Sequence, residues 1–240
     1  MHRSKKSLKV LQGYLRKWRE RTREPGLTVL LIIEALLIFL AIPLAGMGAI
    51  PEIVVPATLV LWVLGVLVVT LRSHWAAIVV LIAVALSPFG ILVHAEDPTL
   101  LTEWLSAIGQ LLAIATLSIV IAQAVFGSGR VTFHRVQGAV LLYLNFALFF
   151  QVIYQLLNAV VPNAFTGLPP RGSEHGSGAA LLYFSFSTLT TLGFGDIIPV
   201  HPLLRSIANF EAVIGQLYPV TLLARLVSIE LEHRRQSRSN

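Results

Sequence analysis

Between Thr188 and Pro199 the chain reads Thr-Leu-Thr-Thr-Leu-Gly-Phe-Gly-Asp-Ile-Ile-Pro, a run of hydroxyl residues leading into glycines that alternate with an aromatic and then a carboxylate. These residue types in this order can strip a cation of water. A bare cation leaves its hydration shell only where a ring of oxygens replaces it, and backbone carbonyls do so without adding net charge. Successive carbonyls aim to one side only if alternate residues leave the usual β and right-handed regions. Glycine does that without steric cost, which suits Gly193 and Gly195. The candidate ligands are the carbonyls of Thr191, Leu192, Gly193 and Phe194, with the Thr191 hydroxyl. One strand cannot encircle an ion, so about four copies around an axis are implied.

In a soluble domain Gly-Phe-Gly-Asp would read as a loop, and the surroundings decide otherwise. The chain of 240 residues is 55% hydrophobic and 12% charged, with a mean hydropathy of +0.77. Soluble domains carry about 25% charged residues, so this composition points to an integral membrane protein. Six stretches near 27–46, 53–71, 75–94, 104–126, 136–161 and 203–230 are membrane-length, about 20 apolar residues being enough to span. Ala179 to Thr190 is too short to cross and reads as a re-entrant helix, tolerated only where protein or water surrounds it. Its C-terminal end would favour a cation through the helix dipole.

Charge sets the orientation. Nine of the eighteen Lys and Arg precede residue 24. Arg72, Arg130, Arg135, Arg234, Arg235 and Arg238 fall on the same side as that cluster, while Glu52, Glu96 and Asp97 fall opposite. The positive-inside rule then places both termini in the cytoplasm, in a multi-pass protein of the cell (inner) membrane. Leu8, Leu11, Leu15 and Trp18 at helical spacing make residues 1–25 a basic amphipathic helix toward anionic lipid, or else a solvated topogenic leader. The net charge of +6 is concentrated beside a span, which argues against nucleic acid. A cleaved signal peptide is not expected, because the run from Leu27 is membrane-length. Cysteine is absent, so there is no disulfide or thiolate metal site. The seven His are scattered, and no nucleophile–base pair is visible, so no enzyme is expected. No cofactor is expected beyond the permeant ion.

The central stretch resembles the potassium-channel signature Thr-Val-Gly-Tyr-Gly-Asp, and the resemblance covers about Val136 to Glu230. It implies potassium ions at Thr191, Leu192, Gly193 and Phe194, with Gly195 completing the filter. Counting from Gly193, Gly215 stands where that family has its gating-hinge glycine. Pro219, four residues on, removes a backbone hydrogen bond and favours a kink. The departures are Leu192 for valine and Phe194 for tyrosine, as in the second pore loops of two-pore-domain channels. Tyr183 and Phe184 stand where many members have paired tryptophans, and Ser187 where some have a carboxylate. By that comparison Asp196 loses its usual partners and the filter is less rigid. Thr190, Asp196, Tyr183, Phe184 and Ser187 are the expected filter supports.

The resemblance implies an all-α integral membrane fold. A four-helix voltage-sensor-like unit (26–127) would precede a linker (128–135) and a two-helix pore unit (136–232) with a re-entrant pore helix and filter. Residues 1–25 would be the surface helix and 233–240 a cytoplasmic tail, too short for a ligand-sensing domain. Trp104 to Phe126 contains no Lys or Arg, and steep voltage gating takes 3–4 charges per subunit. The expectation is therefore a bacterial-style, homotetrameric potassium channel without steep voltage gating. A non-selective cation channel and an ion-uptake transporter subunit are the alternatives.

Two carboxylates lie inside spans. Glu34 reads as a proton- or cation-sensing site, or as a group protonated or hydrogen-bonded to a neighbouring helix. Glu211, one turn before Gly215 on the same face, would form a ring beneath the filter, pair with Arg205, or sit protonated against the pore helix. Asn145, Gln151, Gln155 and Asn158 in the fifth span read as bonds between packed helices.

Overall fold

A computed structural model of the chain describes residues 26–46, 49, 63, 65–66, 75–76, 78–82, 100–126, 132–169 and 177–239. The basic leader 1–25, most of the expected second and third spans, residues 128–131 of the linker, and Arg171, Glu174 and His175 of the loop before the expected re-entrant helix lie outside them. Helices α1 (Gly26–Ala45), α2 (Leu100–Val125), α3 (Phe133–Val160), α4 (Ser177–Leu189) and α5 (Pro202–Ser239) make up most of the described chain. Among the described residues, Gly26–Ala45, Trp104–Val125, Phe133–Val160 and Pro202–Arg225 are long and apolar enough to cross a membrane. The fold is all-α and integral to the membrane. A ribbon of two-residue strands, β1 (Phe165–Thr166) and β2 (Ile198–Pro199), is the one departure among the described residues.

α1 lies on α3 and α4 of its own chain. Its turn Leu37–Ala41 is widened to π geometry just before Pro43. A proline ring clashes with the carbonyl four residues back, and a widened turn relieves that clash. There Ile38 packs with Leu144 and Leu182, and the Phe39 ring sits 5.4 Å from that of Phe186 on α4. Polar bonds pin the rest of α1 to α3. The Thr28 hydroxyl donates to Gln137 Oε1 (2.5 Å) and lies 2.8 Å from His134 Nδ1. Glu34 is fully buried and accepts from Asn145 Nδ2 at 3.2 Å. Its carboxyl is thus hydrogen-bonded to a neighbouring helix. An alanine methyl at Gly138 would stand 3.0 Å from Val125 and 3.1 Å from Leu27, so α1, α2 and α3 meet there.

The amides of α3 divide in use. Asn145 joins helices, whereas Gln151 donates to Gln155 along α3 itself (2.9 Å). Behind α4 an aromatic cluster fills the space between α3 and the loop after it. Tyr154 and Phe184 are 5.1 Å apart and Phe165 and Phe184 5.2 Å, each edge to face, a favoured aromatic geometry.

The ends of the elements follow local chemistry. α4 spans Ser177–Leu189, close to the sequence expectation, and ends as the chain enters the glycine-bearing stretch. α5 runs unbroken to Ser239, through the residues expected to form a tail. Leu, Glu, Arg and Gln dominate that end and are strong helix formers. The β1–β2 ribbon pairs Phe165 with Pro199 and Thr166 with Ile198, and Val200 N–H donates to Ala164 O at 2.9 Å. It ties the loop after α3 to the segment leaving the glycine stretch.

Candidate ion pathway

Backbone geometry comes first. Thr191, Gly193 and Gly195 have φ of +59°, +57° and +79°, while Leu192 and Phe194 between them do not enter the left-handed region. The two glycines were legible from their type. Thr191 was not, because a β-branched residue with positive φ is an outlier that needs holding in place. Alternation of hand turns successive peptide planes so that neighbouring carbonyls lean the same way, as a column of oxygens requires.

α4 holds this strand from one side. Gly193 N–H donates to Ser187 O at 3.2 Å, and Phe194 N–H reaches Ser187 Oγ at 3.4 Å. Ser187 thus supports two consecutive amides. The Thr190 hydroxyl turns back to Phe186 O at 2.6 Å. Tyr183 lies parallel to the Phe194 ring, with centroids 5.9 Å apart and 12° between planes. Its hydroxyl donates to Asp196 Oδ1 at 3.1 Å. This corrects the expectation that Asp196 loses its partners: a tyrosine hydroxyl reaches the carboxylate from the position where tryptophan was looked for. Phe184, the next residue, points the other way into the aromatic cluster with Tyr154 and Phe165. It packs behind α4 in the cluster that includes Ile197, and so bears on the strand only at a remove.

The loop after β1 closes the Asp196 end. A Cβ at Gly167, whose φ is +82°, would stand 1.9 Å from Asp196 O, so backbone passes directly against backbone there.

α5 holds the Thr191 end. A Cβ at Gly215 would stand 1.8 Å from Leu189 O, so α5 meets the C-terminus of α4 at a residue without a side chain. Tyr143 on α3 donates to that same carbonyl at 3.2 Å. Around this crossing α5 is anchored twice. One turn before, Glu211 accepts from Tyr154 Oη (2.6 Å) and Ser185 Oγ (2.5 Å). One turn after, Tyr218 donates to Ala139 O at 2.9 Å. Glu211 is fully buried, which overturns its placement as a ring beneath the filter. Arg205 is no partner either, since its Nε donates to Pro199 O at 2.9 Å. The carboxyl sits against α4, where two hydroxyls satisfy it and offset the cost of burying a polar group. Pro219 lies inside the continuous helix and cannot donate to the Gly215 carbonyl four residues back.

One contact went unread in the sequence. Gln216 Nε2 donates to the Thr191 hydroxyl oxygen at 2.8 Å. Its position directly after Gly215 was the available signal.

The stretch from α3 through α5 is the part that carries this arrangement. Residues 138–231 match the ion-channel family model. The match supports ion-channel activity for this segment, and with the apolar helices it makes the chain a membrane protein. No curated protein and no solved structure matches the chain.

The Tyr183 contact gives a first test. Tyr183→Phe removes the hydroxyl and leaves the stacking on Phe194. Water competes for this solvent-exposed bond, so its contribution lies at the lower end for hydrogen bonds. Ion current through Tyr183→Phe protein is expected to decline about two- to threefold faster during sustained conduction. Unchanged decay would show that Asp196 is held by something else.

Proposed function

We propose that the protein is a potassium-selective channel in which four identical chains pool residues 191–195 into one filter. The observation that carries this reading is the alternating left-handed backbone at Thr191, Gly193 and Gly195. Potassium would pass down its gradient through stacked rings made by the carbonyls of Thr191, Leu192, Gly193 and Phe194 and the Thr191 hydroxyl. Assembly is supported by exposure. Leu192 and Phe194 are 64% and 65% exposed in one chain, and irregular backbone at membrane depth needs protein or water around it. Further copies would enclose it. Phe210, Val213, Leu217, Val220, Leu223, Val227 and Leu231 form an exposed apolar stripe at steps of three and four along α5, a surface on which the inner helices of neighbouring copies would pack.

In this reading α3, α4 and α5 form the pore unit and the chain before α3 a four-helix unit without the arginines of a voltage sensor. Both termini are cytoplasmic, and residues 1–25 meet anionic lipid. Gating would bend α5 near Gly215 and Pro219. A weakly selective cation pore is the second reading, favoured by the missing hydroxyl on Phe194. The Tyr183–Asp196 bond and the two amides on Ser187 weigh against a slack filter.

The test is ion flux from liposomes holding the purified full-length protein. Potassium efflux that barium blocks, with a reversal potential set by potassium, is expected. Equal potassium and sodium permeability would replace this reading with the second. Absent flux, or a monomeric or dimeric particle, would end both.

A further inference from the structure

We propose that Gln216 is a positioning residue for the innermost ring of ion ligands: its side-chain amide holds the Thr191 hydroxyl so that oxygen, and not hydrogen, faces the ion. This rests on residues 191–195 being the filter.

A threonine hydroxyl has one hydrogen to donate and two lone pairs to offer. Left free beside a cation pathway, it turns to suit whatever is near. A donor placed on one lone pair removes that freedom. Gln216 Nε2, 2.8 Å from Thr191 Oγ1, is such a donor. The hydroxyl hydrogen must then point away from the amide, and one lone pair is left for an ion. The neighbouring threonine is not a competitor, since Thr190 donates to Phe186 O.

Three further observations place this contact in the conduction machinery and not in the general packing. Thr191 is the β-branched residue with a φ of +59°, a conformation that persists only where the surroundings over-determine it. The Gln216 backbone is in fixed register: Gly215 abuts Leu189 O, while Glu211 and Tyr218 tie α5 to Ser185, Tyr154 and Ala139. Finally, both partners are exposed in the single chain. Within one chain, removing the donor therefore leaves no buried group stranded. The bond also makes Gln216 a direct mechanical link from α5 to the lowest ring, so displacement of the inner helix is felt at the filter without passing through α4.

Gln216→Leu removes the donor at similar size, and Thr191→Val removes the hydroxyl. In bilayers, Gln216→Leu is expected to lower the potassium-to-sodium permeability ratio roughly two- to tenfold, the range set by one lost hydrogen bond. In a Thr191→Val background the same substitution is expected to change nothing further, and with Thr191→Ser, which keeps the hydroxyl, its effect should return. A second readout does not need current. Potassium binding to the folded tetramer raises its melting temperature by mass action. Gln216→Leu should shrink that potassium-dependent rise and leave the potassium-free melting temperature unmoved, which a merely structural residue would not do. A full-sized Gln216→Leu effect in the Thr191→Val background would overturn the proposal, as would an unaltered permeability ratio together with an unaltered potassium-dependent rise. Wild-type protein with neither potassium flux nor a potassium-dependent melting temperature would instead remove the filter reading, and this inference with it.

Discussion

Replacing Gly215 with alanine is expected to abolish assembly of a conducting protein. Alanine in place of glycine inside a helix ordinarily stabilises by about 0.5–1 kcal/mol, so a residue whose only task is bending would tolerate the change and alter gating alone. Here the added methyl would lie 1.8 Å from Leu189 O, 2.7 Å from Leu189 C and 3.1 Å from Leu189 Cα. All three are backbone atoms and cannot rotate away. The carbonyl is also fixed by the Tyr143 hydroxyl, and it stands two residues before Thr191. Relief must push α5 outward or drag the end of α4, and with it the proposed filter. Overpacking a core typically costs about 1–3 kcal/mol, and a clash with immobile backbone in every copy belongs at or above the top of that range. Size-exclusion profiles and liposome flux read the result directly: loss of the tetramer peak together with flux is expected. A well-assembled Gly215→Ala channel with altered open probability would restore the hinge as the glycine's sole role.

That crossing also marks how far sequence reasoning reaches. The four membrane-length helices among the described residues were legible because length and hydropathy are properties of a segment alone. The short α4 was legible because thirteen residues cannot cross a bilayer. The shared face of Glu211 and Gly215 was correctly read from their four-residue spacing. Which way that face turns was not legible. Spacing fixes positions on a helix relative to one another, whereas the rotation of the helix about its own axis is set by contacts with α3 and α4. The rotation seen puts Glu211 and Gly215 against α4 and leaves Gln216, about a quarter-turn round, to meet Thr191. The bond from Tyr183, itself an expected support, to Asp196 was not legible for a different reason. Compared position by position, tyrosine for tryptophan counts as a lost partner. In space, both are rings with a polar donor at the far edge, and the tyrosine hydroxyl spans the gap to Asp196.

Gly193→Ala is expected to silence conduction while leaving the protein assembled. Its φ of +57° lies where an L-residue is disfavoured, by roughly 1–2 kcal/mol per residue. Four copies would make about 4–8 kcal/mol in one filter. No atom of the chain lies within 4 Å of the added methyl, so the cost within a chain is conformational and not a clash. Return of φ to negative values swings the peptide between Leu192 and Gly193. That peptide carries the Gly193 N–H, which now donates to Ser187 O at 3.2 Å, and the Leu192 carbonyl, a proposed ligand. One rotation therefore breaks the anchor and turns an oxygen out of the column. Because residues 191–196 are exposed in the single chain, the hydrophobic core and the α5 anchors at Glu211 and Tyr218 do not feel the change. The expected result is flux reduced by more than about a hundredfold, with the size-exclusion profile unaltered. Gly195→Ala, at a φ of +79°, should behave alike. Wild-type flux through Gly193→Ala protein would mean that alternating backbone hand has no part in conduction and that ions take another route.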